Sequence, residues 1–132
     1  MEFVMENRAA SAVLIVDDEA SILEVMAGII ESAGFAAACV TSGAGALQKL
    51  KEESFACMIT DLHMLAMNGF ELAVKAQVIA PHMLIALCTG DESPSIRKEA
   101  VAAGIRIIFH KPIDFQAIIN MLHKEVLPVG RY

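Results

Sequence analysis

Short apolar runs recur along the chain: VLIV at 13–16, AAACV at 36–40, ACMIT at 56–60, MLIALCT at 83–89 and IRIIF at 105–109. Each has strand length and is continuously apolar, the pattern of strands covered on both faces. Helical spacing fills the gaps. After the first run, Ile22, Val25, Met26, Ile29 and Ile30 fall at i, i+3, i+4, i+7 and i+8, and Gly34 supplies the stop. The last segment repeats the pattern with Phe115, Ile118, Ile119, Leu122 and Val126. Asp114 reads as its N-cap, with Ile113 and Ile118 placed as a hydrophobic staple. Ser93 followed by Pro94 reads as a cap with proline at the first helical position, which predicts a helix over 94–103 ending at Gly104. Weaker patterns predict helices over 44–53, anchored by Leu47 and Leu50, and over 69–79, capped by Asn68.

This alternation of strand and helix predicts an α/β fold: a doubly wound, five-stranded parallel sheet with helices on both faces. A chain of 132 residues can close one such core without disulfide or metal staples. Residues 12–126 form the expected domain, 1–11 an N-terminal extension, and 127–132 a tail or the start of a linker.

Composition removes several function classes. The chain is 56% hydrophobic, yet Pro81 and His82 interrupt its longest apolar stretch well short of the ~18 to 20 residues of a membrane span. The opening MEFVMENRAA lacks the basic start and apolar core of a signal peptide, so a cytoplasmic location without membrane association is expected. Cys39, Cys57 and Cys88 are odd in number and sit in strand-like runs, which predicts buried, reduced thiols. The eight methionines read as core filler. A net charge of −6 with scattered basic residues argues against direct nucleic-acid binding.

Polar residues cluster at the carboxyl ends of the runs: Asp17 and Asp18 after the first, Asp61 after the third, Thr89 at the fourth, Lys111 beyond the fifth. In open α/β sheets that edge binds ligands, at the point where the strand order reverses. A flavodoxin-like order 2-1-3-4-5 sets the first and third strands side by side, so Asp17, Asp18 and Asp61 converge with Thr89 and Lys111 on the other flank. The consecutive acids Asp17, Asp18 and Glu19 either lie in water as a turn and helix cap or share a cation. Ser21 with Glu24 offers a competing capping box. The company of Asp61, Thr89 and Lys111 at neighbouring strand ends favours the cation, and oxygen donors of this kind suit Mg²⁺ better than Zn²⁺.

The combination of VDDE at 16–19, DLHMLAMNG at 61–69, the Thr89–Gly90 step and Lys111–Pro112 resembles the receiver domain of two-component response regulators, of the kind found in chemotaxis regulators. The resemblance covers roughly residues 12–126. It implies that Asp61 is the phosphoacceptor and that Asp18, Asp61 and the backbone carbonyl of His63 ligate Mg²⁺, with Asp17 supporting the ion through water. It further implies that Thr89 and Lys111 contact the phosphoryl oxygens and that the Lys111–Pro112 bond is cis. The implied partners are a sensor histidine kinase or phosphotransfer protein and a downstream effector bound through the 94–126 face. The apolar content leaves room for a homodimer through the last two helices.

Three positions depart from the pattern. Ile108 stands where an aromatic is usual, and the adjacent Phe109 points to the opposite face of a strand. Leu65 replaces a common proline, and Gly90 a small residue such as alanine. Two readings of His63 stand open: with Asp91 it lines the entrance and tunes acyl-phosphate lifetime, or it is a solvent-exposed side chain with no such role. A phosphorylation-independent adaptor is the alternative reading, supported by Ile108 alone. A haloacid-dehalogenase-type phosphatase would need a second Asp where His63 stands, and GAGAL at 43–47 lacks a nucleotide-binding glycine fingerprint.

Overall fold

The computed structural model describes residues 11–126, so the tail over 127–132 and, apart from Ser11, the N-terminal extension lie outside the described residues. Within them, strand and helix alternate as the apolar pattern predicts: β1 (Ala12–Val16), α1 (Ala20–Ser32), β2 (Ala36–Val40), α2 (Gly43–Glu52), β3 (Cys57–Asp61), α3 (Gly69–Ile79), β4 (Leu84–Thr89), α4 (Ser95–Ala102), β5 (Ile107–His110) and α5 (Phe115–Glu125). All strand pairs are parallel, in the order β2-β1-β3-β4-β5.

Successive residues of each strand point to opposite faces, which is why the runs are apolar throughout. Leu14, Val16, Met58, Ile85 and Leu87 pack with α2, α3 and α4. Val13, Ile15, Cys57, Ile59, Ala86 and Cys88 pack with α1 and α5. Burying side chains such as Leu14, Ile59 or Leu87 stabilises the fold by about 1.5–3 kcal/mol each, before ordering costs are counted. Phe109 and Ile108 fall in opposite layers, as strand alternation requires.

Two helices end in the same way. Gly34 and Gly104 adopt left-handed φ values of 100° and 84°. At the first, Gly34 N–H donates to Glu31 O and Phe35 N–H to Ile30 O; at the second, Gly104 donates to Val101 and Ile105 to Ala100. Both are Schellman caps, and both position the chain for the next strand. Asn68 and Glu71 close a reciprocal capping box at the start of α3, and the Asp114 carboxylate accepts from Ala117 N–H at the start of α5.

Several expectations are corrected. On α1 the buried residues are Leu23, Met26 and Ile30, while Val25 is half exposed; the face is rotated because Leu23 turns inward. Cys39 is exposed, because β2 is an edge strand whose far side no element covers among the described residues; Cys57 and Cys88 are buried. The Ser21–Glu24 capping box does not form: α1 begins at Ala20 after Glu19, which offers no side-chain cap. Ser93 does not cap α4 either: the helix starts after Pro94 with no side-chain cap, and Ser93 N–H donates back to Asp91 Oδ1. GAGAL opens α2 and is capped by Ser42, whose side chain accepts from Gly45 N–H.

Candidate phosphorylation site

β1 and β3 end side by side, with Val16 opposite Thr60, so the residues that follow meet at the carboxyl edge of the sheet. Carboxylate oxygens of Asp17, Asp18 and Asp61 all lie within 4.8 Å of one another. Asp17 is buried, at 4% exposure, and Asp18 stands at the exposed rim. Asp17 N–H donates to Val40 O, and its Oδ1 accepts from Glu19 N–H at 2.9 Å. The capping and cation readings of these acids are therefore compatible: one carboxylate both shapes the turn and faces the cluster.

Asp61 is the last residue of β3, opposite Cys88 of β4. Its side chain is 11% exposed, and Lys111 Nζ donates to Oδ1 at 2.9 Å. Lys111 reaches it from the loop after β5, where the Lys111–Pro112 peptide is cis. The backbone around Asp61 is held from three sides: the Thr60 hydroxyl donates to Asp61 O, Leu62 N–H to Cys88 O, and Gly69 N–H to Leu62 O. A Cβ on Gly69 would sit 2.6 Å from Asp61 O and 2.9 Å from Leu87 Cδ1. Gly69 is thus the residue that lets α3 start against the end of β3. Sequence pattern gave Thr60 no role and Gly69 only its place at the end of the 61–69 motif; the further signal was a glycine in a first helical turn, where propensity disfavours it.

The loop from β3 to α3 carries a tight turn in which Met67 N–H donates to Leu65 O across Ala66, whose φ is 68°. This γ-turn is a strained conformation for alanine and leaves Leu65 85% exposed beside the pocket. His63 lies on the same loop, its imidazole 71% exposed and 3.6 Å from the Asp91 carboxylate. The β3–α3 and β4–α4 loops thus meet through His63 and Asp91.

Thr89 is fully buried at the end of β4. Its Oγ1 accepts from Asp91 N–H at 3.0 Å, and its carbonyl accepts from Lys111 N–H at 2.8 Å. The hydroxyl is thus tied to the following loop, while its strand parity places it with the α2–α4 layer, away from the parity of Asp61.

Electrostatics follow the burial. Desolvation pushes the Asp17 carboxyl above its ordinary range, against the Glu19 N–H and with the charge of Asp61. For Lys111, burial pulls the ammonium down, but the hydrogen bond and charge of Asp61, then Asp17, outweigh it and leave the group raised. Asp91 is held below the usual range by the Ser93 hydroxyl and N–H, assisted by His63. Burial pushes the Cys57 and Cys88 thiols up to about 12, which makes them packing groups without nucleophilic character.

A parallel 2-1-3-4-5 sheet with three carboxylates gathered at its carboxyl edge and a lysine against the central one defines the class: a receiver domain. The response regulator receiver domain family matches residues 13–123, and the chain belongs to it. Among relatives, it is 27% identical to the response regulator receiver protein CpdR of Brucella abortus over 87% of this chain and 96% of that protein. It is 31% identical to the uncharacterized transcriptional regulatory protein YesN of Bacillus subtilis over 90% of this chain, which spans only 33% of YesN. The structure superposes on the chemotaxis protein CheY4 of Vibrio cholerae with a TM-score of 0.83 and 26% identity, covering 88% of this chain and 98% of that one.

Receiver domains are signalling modules of two-component systems, not metabolic enzymes, and bind Mg²⁺ at an acidic pocket; here the acidic cluster is Asp17, Asp18 and Asp61. The donors fit such an ion, being hard carboxylate oxygens with no imidazole or thiol among them. Among the described residues, no helix is long and apolar enough to cross a membrane.

Proposed function

We propose that residues 12–126 accept a phosphoryl group on Asp61 from a phosphohistidine of a sensor kinase or phosphotransfer protein, and that the change is read by a partner at the 94–126 face. The observation that carries this is the contact of Lys111 Nζ with Asp61 Oδ1 inside a cluster of two further carboxylates. Asp18, Asp61 and the His63 carbonyl would hold Mg²⁺, with Asp17 supporting it through water. Bound there, the ion supplies positive charge that offsets the repulsion between carboxylates and phosphoryl oxygens.

The chain's own residues account for the rest. A carboxylate oxygen of Asp61 attacks phosphorus; the O–P bond forms as the N–P bond to the donor imidazole breaks. Lys111 fixes the carboxylate beforehand and offers its ammonium to the charge that gathers on the phosphoryl oxygens. The Thr89 hydroxyl then exchanges its bond with Asp91 N–H for a phosphoryl oxygen, which releases the loop that leads into α4. His63 and Asp91 stand over the mouth, where they tune the lifetime of the acyl phosphate.

Intact mass after incubation with Mg²⁺ and acetyl phosphate tests the reading. One added phosphoryl group, abolished by chelation, is expected; no gain while a control receiver is labelled would favour a phosphorylation-independent adaptor.

A further inference from the structure

A groove of about 530 Å³ opens at the amino edge of the sheet, opposite the acidic cluster, where the chain passes from α2 into β3 and from α3 into β4. Its floor is apolar: Leu50, Phe55 and Met83, each 7–8% exposed, line it together with half-buried Ile79. The rim carries the exposed His82 and Glu53, whose carboxylate already meets Lys49 at 2.6 Å. Walls of this kind give apolar contact and few directed hydrogen bonds, which suits the side chains of a peptide segment better than a small polar ligand.

The chain itself supplies such a segment. Residues 1–10 precede the described part of the protein and include the apolar triplet Phe3, Val4 and Met5 between Glu2 and Glu6. β1 starts at the same edge as the groove, because Ala56 N–H donates to Ala12 O and Leu84 N–H to Ala56 O. The first residues of β1, β3 and β4 therefore lie in one row, and Ala56 itself lines the groove. Two strand spacings, roughly 10 Å, separate β1 from β4. Met5 stands seven residues before Ala12 and Phe3 nine, a reach of up to about 23 Å and 30 Å. The tether is long enough, with slack for a turn. Residues beyond 126 start from the other face of the sheet, since Val126 packs in the layer of α1 and α5.

We propose that the N-terminal segment folds back across the amino edge and seats Phe3 and Met5 in this groove. In an extended segment these two side chains share one face, while Val4 takes the other. Glu2 and Glu6 then stay in water at the rim. A phenylalanine ring brings 150–250 Å² of surface as a rough range, the largest single contribution the segment can make. Attachment decides between copies: a short tether holds its end at an effective concentration of about millimolar, so the segment of the same chain displaces that of a second copy at micromolar protein. The seat extends the folded unit from residue 12 back to residue 3 and closes the amino edge to other partners, independently of events at Asp61.

The test uses the full chain, deuterated except for ¹³C-labelled methyl groups of Met and Ile and for protonated Phe and Tyr rings. Nuclear Overhauser contacts from the Phe3 ring to the methyl groups of Met83 and Ile79 are expected, and Phe3→Ser is expected to remove them and to shift the Met83 methyl signal. A second sample mixes copies that carry only the methyl labels with copies that carry only the protonated rings. No Phe3 contact is expected there. Its appearance in the mixed sample would make a second copy the occupant, and contacts from Tyr132 in place of Phe3 would assign the groove to the C-terminal tail; either overturns the proposal. So would the absence of Phe3 contacts in the wild type, or a Met83 signal unmoved in Phe3→Ser. The wild-type contacts decide the matter even if the variant fails to fold.

Discussion

Asp17 and Asp61 stand at the ends of adjoining central strands, buried and held by backbone hydrogen bonds from β2, β4 and α3. Asp91 and His63 belong instead to the loops after β4 and β3 and meet at 3.6 Å. The first region is fixed by the packing of two core layers; the second is fixed by a handful of polar contacts that break one at a time. The two buried carboxylates owe their places to strand ends packed from both faces, whereas the His63–Asp91 pair owes its place to loops whose contacts are individually weak.

If that division holds, substitutions on the strand side should have large effects on both stability and labelling. The largest is expected for Gly69→Ala. Helix propensity favours alanine by up to about 1 kcal/mol. The new Cβ would nevertheless press on Asp61 O at 2.6 Å, so a net loss of roughly 1–3 kcal/mol is expected from overpacking. Denaturant unfolding should show this loss together with slower labelling; a gain in stability would mean that the helix start yields and that Gly69 does not position the acceptor.

Asp17→Asn should act in the opposite direction. Burial raises the folded-state pKa of Asp17 above its unfolded value. Its contribution to stability is therefore complete below the unfolded value near 3.8, and is lost as pH rises through the raised folded value. Ionised Asp17 thus weakens the metal-free fold at neutral pH. In chelator, Asp17→Asn is expected to melt higher than the wild type at pH 7, with the advantage shrinking toward pH 3; adding Mg²⁺ should stabilise the wild type more than the variant. A variant that melts lower at pH 7 in chelator would contradict the desolvation argument.

On the loop side the effect should be smaller and confined to kinetics. His63→Asn is expected to leave the melting midpoint unchanged, because the contact with Asp91 is exposed, and to alter dephosphorylation by about two- to fivefold. An unaltered rate would remove His63 from the account.

Sequence pattern carried most of this architecture because the controlling signals are local. Continuous apolar runs marked strands covered on both faces, and Gly34, Asn68, Gly104 and Asp114 marked helix ends by their own backbone or capping chemistry. The acids were legible because a buried run leading straight into Asp17 and Asp18 is costly without a reason. What escaped was tertiary. The exposure of Cys39 depends on β2 being an edge strand, and the inward turn of Leu23 depends on how α1 seats against the sheet. The role of Gly69 depends on a contact with Asp61 O across the β3–α3 loop. Ser93 lost its cap to a nearby carboxylate, a competition between two local hydrogen bonds that composition cannot rank.

On the proposed reading Asp61, and not Asp17 or Asp18, is the acceptor. Borohydride reduction of the protein after acetyl phosphate treatment converts an aspartyl phosphate to homoserine, and peptide mapping then locates it. Homoserine at position 61 alone, lost when Mg²⁺ is chelated, is the predicted result; homoserine at 17 or 18, or none in a protein that has gained phosphoryl mass, would contradict the account.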